Sequence, residues 1–182
     1  MAEIRRIKEM ELLANLKVSR GFASLISEPT GPVETIFSRE ISIAEAIKGF
    51  IGEVEYSVDA AVHRLNSGEL FECLLDARYR GIEVRLLTDW SKYQQNEFTR
   101  TLLSKATFPW RLSRGRGGTN SKMHHKFLIL DQSIILTGSY NWTLASETQN
   151  FENIVVLRGT DSVKSFCSEF EALWENEKLP PQ

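Results

Sequence analysis

Between residues 33 and 88 the chain switches its apolar period from strand-like to helical and back twice, which restricts it to folds that layer helices on a sheet. Val33-Glu-Thr-Ile-Phe37 reads as a first strand. Ser42-Ile-Ala-Glu45 has the form of a capping box and opens a helix over Ile43–Val54. Tyr56–Leu65, rich in Val and Ala, reads as a buried strand, and Asn66 is placed to cap a helix over Gly68–Arg80. Gly81 is expected in the left-handed conformation that ends such a helix, before a third strand at Ile82–Thr88. Further on, a polar helix is expected at about Gln94–Lys105 and a short strand at Phe108–Ser113. Lys126–Leu130 and Ile134–Thr137 flank the turn Asp131-Gln-Ser133, Asn153–Leu157 gives another strand, and Asp161 caps an amphipathic helix running through Trp174. The pattern predicts an α/β chain: a mixed, mostly parallel β-sheet flanked by helices on both faces. No internal repeat is present.

With 182 residues the chain accommodates one substantial core, assigned to residues 31–182. Residues 1–30 form a separate segment, in which Ile4, Ile7, Met10, Leu13 and Leu16 lie at helical spacing. That segment is expected to be an amphipathic helix and linker rather than a membrane anchor, because its polar face mixes acids with bases and its apolar face has no aromatic residue. Charges interrupt Met1–Val18, so no cleaved leader is expected, nor any stable membrane insertion; the expected location is cytoplasmic. The two cysteines, Cys73 and Cys167, make neither a disulfide framework nor a zinc site, and they read as free thiols. With a formal net charge of −2, a nucleic-acid ligand must be held by a local basic surface.

The chemistry concentrates after residue 120. Met123-His-His-Lys-Phe-Leu-Ile-Leu-Asp131 contains His124, Lys126 and Asp131 in the order H-x-K-x4-D, and Gly138-Ser-Tyr-Asn141 and Glu152 follow. The triplet alone should arise by chance in roughly a per cent of chains of this size. An imidazole, an ammonium, a hydroxyl, a carboxamide and a carboxylate near one sheet edge are a far more specific set. Strand alternation puts His124 and Lys126 on one face and sends His125 to the other. Displacement at a phosphodiester needs a nucleophile, stabilisation of charge on the phosphoryl oxygens, and an acid for the leaving oxygen. Neutral His124 can attack; Lys126, Ser139 and Asn141 can donate to the building charge; Glu152 can accept a histidine ring N–H and fix its tautomer. No cofactor is expected.

These residues resemble the phospholipase D superfamily, defined by the HKD motif, and within it the small single-motif nuclease-like branch. The likeness runs from about residue 35 onward. It takes in Phe37-Ser38, Gly81-Ile-Glu-Val-Arg-Leu-Leu87 and the run from His124 to Glu152. It implies the superfamily's α-β-α sandwich and a metal-independent, two-step reaction through a phosphohistidine, with Asp131 pointing away from substrate as a structural residue. For a nuclease of this type it also implies a 5′-phosphate and a 3′-hydroxyl as products. The departures are small: Arg39 stands where proline is common, and there is neither an inserted zinc finger nor an N-terminal membrane anchor.

A single motif copy leaves one catalytic histidine where the reaction asks for two. A homodimer in which each subunit contributes a His124 answers that need. His63 is the rival second histidine, and its setting in Ala60-Ala-Val-His-Arg64 reads as strand packing or groove lining. Arg114-Gly-Arg116-Gly-Gly118, with Arg111, Ser121 and Lys122 nearby, forms a basic, glycine-rich approach suited to phosphates; its alternative reading is a solvated connection. Trp110 and Trp142 flank the motif, with packing preferred over base stacking. The first functional reading is therefore a nuclease acting on DNA or RNA, alone or with a separate recognition partner. The rivals are a phospholipase D/cardiolipin-type hydrolase or phosphatidyltransferase and, ranked last, a non-catalytic binding domain. A lipid enzyme needs apolar loops to reach its interface, and the basic loop favours a polyanion instead.

Overall fold

The computed structural model describes residues 33–117 and 121–176. The expected N-terminal helix lies outside them. Seven strands form one sheet: β1 (Val33–Phe37), β2 (Ser57–Val62), β3 (Glu83–Asp89), β4 (Trp110–Ser113), β5 (Lys126–Leu130), β6 (Ile134–Gly138) and β7 (Asn153–Leu157), in the order β1-β7-β6-β5-β2-β3-β4. The helices are α1 (Ile43–Gly52), α2 (Gly68–Tyr79), α3 (Trp90–Gln95), α4 (Glu97–Leu103), α5 (Leu144–Thr148) and α6 (Thr160–Asn176).

The sheet is mixed, as expected, and the pairing explains in what sense it is mostly parallel. Only β5 and β7 run against the other five strands. Both lie inside the sheet, so four of the six neighbouring pairs are antiparallel. The β5–β6 hairpin and its continuation into β7 and β1 need no helical crossover, whereas β2, β3 and β4 do.

Each face of the sheet is covered according to residue parity. On β2, Val58, Ala60 and Val62 are buried on one face, while Asp59 and Ala61 belong to the other. Ala61, Leu87, Phe127, Ile129 and Ile135 pack with Val163 and Phe170 of α6. Arg85 anchors that helix with a bidentate pair to Asp59 at 2.7 Å and a bond to Glu171 at 2.6 Å, its guanidinium lying 4.8 Å over the Phe170 ring. α1 buries Ile43, Ile47, Phe50 and Ile51, and α2 buries Leu70, Phe71 and Leu74, away from α6.

Several boundaries differ from the sequence reading for local reasons. Ser67, not Asn66, caps α2, its hydroxyl accepting from Leu70 N at 3.3 Å. The expected single helix at 94–105 is two, because Asp89 caps α3 and Asn96 caps α4 in extended backbone. α6 begins at Thr160, so Asp161 lies in its first turn rather than at its cap, where its charge still favours the helix N-terminus. Gly81 has φ +92°, the left-handed value expected of it. Cys73 and Cys167 are free thiols, and among the described residues no helix is long and apolar enough to cross a membrane.

Candidate active site

The site lies where β5, β6 and β7 meet the end of β2. β5 pairs with β2 in a register that sets Val62 opposite Lys126, and beyond it His63 N donates to His125 O at 2.9 Å. Alternation then acts as anticipated. His125 turns to the α6 face, where its Nε2 lies 3.1 Å from a Glu169 carboxylate oxygen. His124 and Lys126 share the other side: Lys126 Nζ is 3.2 Å from His124 Nδ1 and donates to His124 O at 2.8 Å. A lysine ammonium only donates, so Nδ1 accepts and the neutral ring carries its proton on Nε2. Burial, then the charges of Lys126 and Lys122, push the His124 pKa down; burial lowers that of Lys126. The lowered His124 pKa favours a neutral imidazole near pH 7.

Gly138 lets the second half of the site approach. A Cβ there would stand 2.1 Å from Asn153 O and 2.9 Å from Ile154 Cα, so only glycine permits β6 to pass β7 this closely. The contact places Ser139 beside Glu152: the Ser139 hydroxyl donates to the buried carboxylate and accepts from Asn153 N at 3.1 Å. Glu152 also accepts from Asn150 Nδ2 at 3.1 Å, and its backbone N–H donates to Ser38 Oγ at 2.9 Å. Among the described residues Glu152 makes no bond to His124, so the tautomer-fixing contact expected of it is not formed within one chain. Tyr140 is buried and donates to Glu147 at 2.8 Å; Glu147 also accepts from Ser42 Oγ at 2.6 Å and Ala44 N at 3.2 Å, tying the loop to α1. Asn141 is half-buried with Oδ1 unpartnered, and Trp142 is core.

Asp131 is remote from this chemistry. Its carboxylate accepts from the backbone N–H groups of Glu55, Tyr56 and Ser57 at 3.0, 2.7 and 2.9 Å, pinning the connection between α1 and β2 to the β5–β6 turn.

The basic approach divides. Lys122 is exposed and close enough to depress His124 electrostatically, and Arg116 is exposed on the loop. Arg114 is exposed, with its guanidinium 3.6 Å over the Trp90 ring, and its backbone bridges to Lys122. Arg111 does not join them: its guanidinium donates to Trp174 O and lies 4.5 Å over the Trp174 ring. Its place on β4 turns it to α6, so substrate contact is not the role its geometry fits. Trp110, half-buried, packs near Tyr93 at 5.8 Å between centroids.

Two residues acquire site roles that the sequence reading did not give them. His63 is buried with 4% exposure, its ring centroid 4.4 Å from that of His124, and neither of its ring nitrogens has a hydrogen-bond partner. Burial, then the fields of His124 and Lys126, lower its pKa to about 4. The sequence reading left His63 as strand packing or groove lining; the strand ends at Val62, so alternation no longer governs where the ring points, and it lies against His124. Asp89, fully buried at the end of β3, accepts from Met123 N at 3.0 Å and from Lys92 N at 2.9 Å, fixing the segment that delivers His124. A lone aspartate closing an apolar strand carries no sequence mark of that long-range bond.

A family model described as "cardiolipin synthase, PLD-like domain" matches residues 47–174. Mitochondrial cardiolipin hydrolase of Mus musculus is 30% identical over 147 residues, 81% of this chain and 64% of that protein. The chain thus spans less than two thirds of that relative's length. Among solved structures, the phospholipase D family member Nuc of Salmonella typhimurium superposes with TM-score 0.73 at 22% identity, over 82% of this chain and 98% of Nuc. TrmBL2, an archaeal chromatin protein whose structure shows a mode of DNA binding, aligns with TM-score 0.59 at 16% identity, over 98% of this chain and 65% of its own. With the family model covering most of the described fold and the whole His124–Glu152 run, the chain belongs to the phospholipase D-like superfamily.

Proposed function

We propose that this chain is a metal-independent phosphodiesterase whose substrate is a nucleic-acid strand. The observation that carries the reading is a neutral His124 held by Lys126, with Lys122, Arg114 and Arg116 leading to it. In the first step a phosphoryl oxygen takes Lys126 away from Nδ1, the ring proton passes by way of solvent from Nε2 to Nδ1, and the freed Nε2 attacks phosphorus. The phosphorus–oxygen bond to the leaving group breaks as the bond to nitrogen forms. Lys126, Ser139 and Asn141 donate to the phosphoryl oxygens while charge builds there. Water, giving its proton to the group that protonated the leaving oxygen, then displaces the imidazole from phosphorus, and the strand carrying the phosphate leaves.

The leaving oxygen must be protonated from the side opposite the attack. His63 is too near to do this. An attacking atom stands about 3 Å from phosphorus, and an acid stands about 3 Å from the oxygen it protonates. The two ring centroids are only 4.4 Å apart, which leaves no room for a phosphorus between them. The acid is therefore assigned to His124 of a second copy in a homodimer, protonated as the imidazolium; Glu152 is held by Ser139 and Asn150 within its own chain. Exposed Phe37 and Phe151, which line one cleft together with Glu152, supply apolar surface for that contact.

A second reading, hydrolysis of a cardiolipin-type lipid, draws on the name of the mouse relative and on the same two phenylalanines, which would otherwise face an interface of lipid. One experiment separates them. Labelled single-stranded DNA, duplex DNA, RNA and cardiolipin vesicles are incubated with the protein in excess EDTA. Cleavage of a nucleic acid that persists with chelator is expected; activity abolished by EDTA and restored by Mg²⁺ would overturn the mechanism, and release of phosphatidic acid alone would select the lipid.

A further inference from the structure

Beside the site lies a polar cleft of about 210 Å³ lined by Arg64, Asn66, Lys92, Gln95, Asn96 and Thr99, with Leu65 at its floor. We infer that it is a second phosphate subsite, receiving the backbone phosphate next to the one that is cleaved; the inference rests on the nucleic-acid reading above.

Its position follows from two short runs of chain. Trp142 N donates to Arg64 O at 3.0 Å, and Asn66 N donates to Trp142 O at 2.8 Å, so residues 64–66 lie along the strand-like segment that follows Asn141. Arg64 directly succeeds His63, whose ring touches His124. The cleft therefore begins one residue beyond His63, roughly 4 Å of chain, and runs beside Trp142, the residue after Asn141. A neighbouring phosphate of a bound strand falls within that reach.

The lining has the right chemistry. Arg64 and Lys92 bring two positive charges, and no carboxylate lines the cleft. Lys92 Nζ donates to the neutral Gln95 Oε1 at 3.0 Å and forms no ion pair among the described residues. Its field reaches the site, where it is one of the charges that depress His63. Arg64 is exposed and has no ion pair among the described residues. Two cations with no carboxylate beside them suit a phosphate. A single esterified phosphate occupying the His124 centre alone would leave both unused.

The test uses Arg64→Gln, Lys92→Gln and the pair. Binding of a fluorescein-labelled single-stranded octanucleotide is followed by anisotropy, with His124→Ala as the background, across a salt series. Turnover of bis(p-nitrophenyl) phosphate, which has one phosphate, is followed with His124 intact. Loss of both cations from that one phosphate should weaken octanucleotide binding about tenfold or more and flatten its salt slope by about 0.7. The loss on bis(p-nitrophenyl) phosphate should be at least tenfold smaller. An unchanged slope, or equal losses on both substrates, overturns the subsite. So does weakened binding to cardiolipin vesicles with octanucleotide binding intact, which would give the second phosphate to a lipid. Because strand binding is read without cleavage, a parent protein that binds DNA yet cuts none would refute the nuclease reading and still decide the subsite.

Discussion

Removing the Asp131 carboxylate should cost stability and spare chemistry, although Asp131 completes the motif. The carboxylate accepts three backbone N–H groups at 2.7–3.0 Å. Two of these bonds are exposed, so water replaces them at small cost, while the bond from Ser57 is part-buried. A hydrogen bond to a charged group contributes about 1.5–3 kcal/mol when sheltered and less in water, so the three together give about 2–3 kcal/mol. Asp131 also has φ +49°, where alanine is disfavoured by about 1 kcal/mol. Asp131→Ala should therefore lose about 3–4 kcal/mol, or about 10 °C in Tm for a domain of this size. Asp131→Asn keeps one acceptor and the tolerance of positive φ, and should lose about half as much. Thermal unfolding by circular dichroism gives the first quantity, and turnover at 20 °C, well below either midpoint, gives the second. Rates within about threefold of the parent are expected. An Asp131→Ala protein with parental Tm and turnover reduced a hundredfold would refute the reasoning and put the carboxylate into the chemistry.

Other perturbations separate the roles of the site residues. His124→Ala should abolish cleavage with Tm nearly unchanged, since the ring is exposed; near-parental turnover would remove it from the nucleophile's role. His63, with its folded pKa near 4 against 6.5 when unfolded, binds fewer protons folded than unfolded between those values. Stability should thus fall as pH drops from 6.5 toward 4, by about 2 kcal/mol at pH 5, and His63→Phe should remove that slope in urea titrations; a variant with the parental slope would assign it elsewhere. Gly138→Ala forces β6 from β7, so it should lower Tm by several degrees and activity more than tenfold through displaced Ser139 and Glu152; a crystal structure of the variant with both side chains unmoved would contradict this. Light scattering should give twice the monomer mass at active concentrations, and an active monomer would rule out the shared centre.

The sequence was most informative where one local rule decides the outcome. Strand alternation separates His124 and Lys126 from His125 without knowledge of any partner, and β5 and β7 have the bounds read from their apolar runs. It was less informative where a strand stops or a side chain has two courses open to it. The apolar run around β2 continues to Leu65, but its ladder ends at Val62, and this decides where His63 points. Arg111 looked like part of the basic loop because it is near in sequence; one strand residue's parity directs it to Trp174 instead. Asp89 and Glu147 join elements far apart in the chain, and a bond of that kind leaves no periodic trace.

Under the proposed dimer mechanism, one chain alone holds half of the centre. Within a protomer the Glu152 carboxylate is taken by Ser139 and Asn150, and His124 faces Lys126 with its proton on the nitrogen that must attack. A neutral imidazole in that tautomer attacks only after its proton has passed from Nε2 to Nδ1, and it serves as an acid only as the imidazolium, since loss of Nε2–H from the neutral ring would leave an imidazolate. In the proposed dimer the two rings start equivalent, and the reaction needs one of them neutral and the other protonated. The negative phosphodiester favours uptake of that one proton and draws Lys126 from Nδ1 to a phosphoryl oxygen; the ring that stays neutral attacks, and the imidazolium protonates the leaving oxygen from its Nε2. The Lys126–His124 contact then has a function in the proposed resting state: it holds each ring neutral with its proton on Nε2, so that neither attacks until substrate draws the lysine away. Lys126→Met removes charge stabilisation from both steps but also removes this hold, so it should slow the first step less than the second. Burst kinetics resolve the two steps, and equal slowing of both would remove this holding role from Lys126.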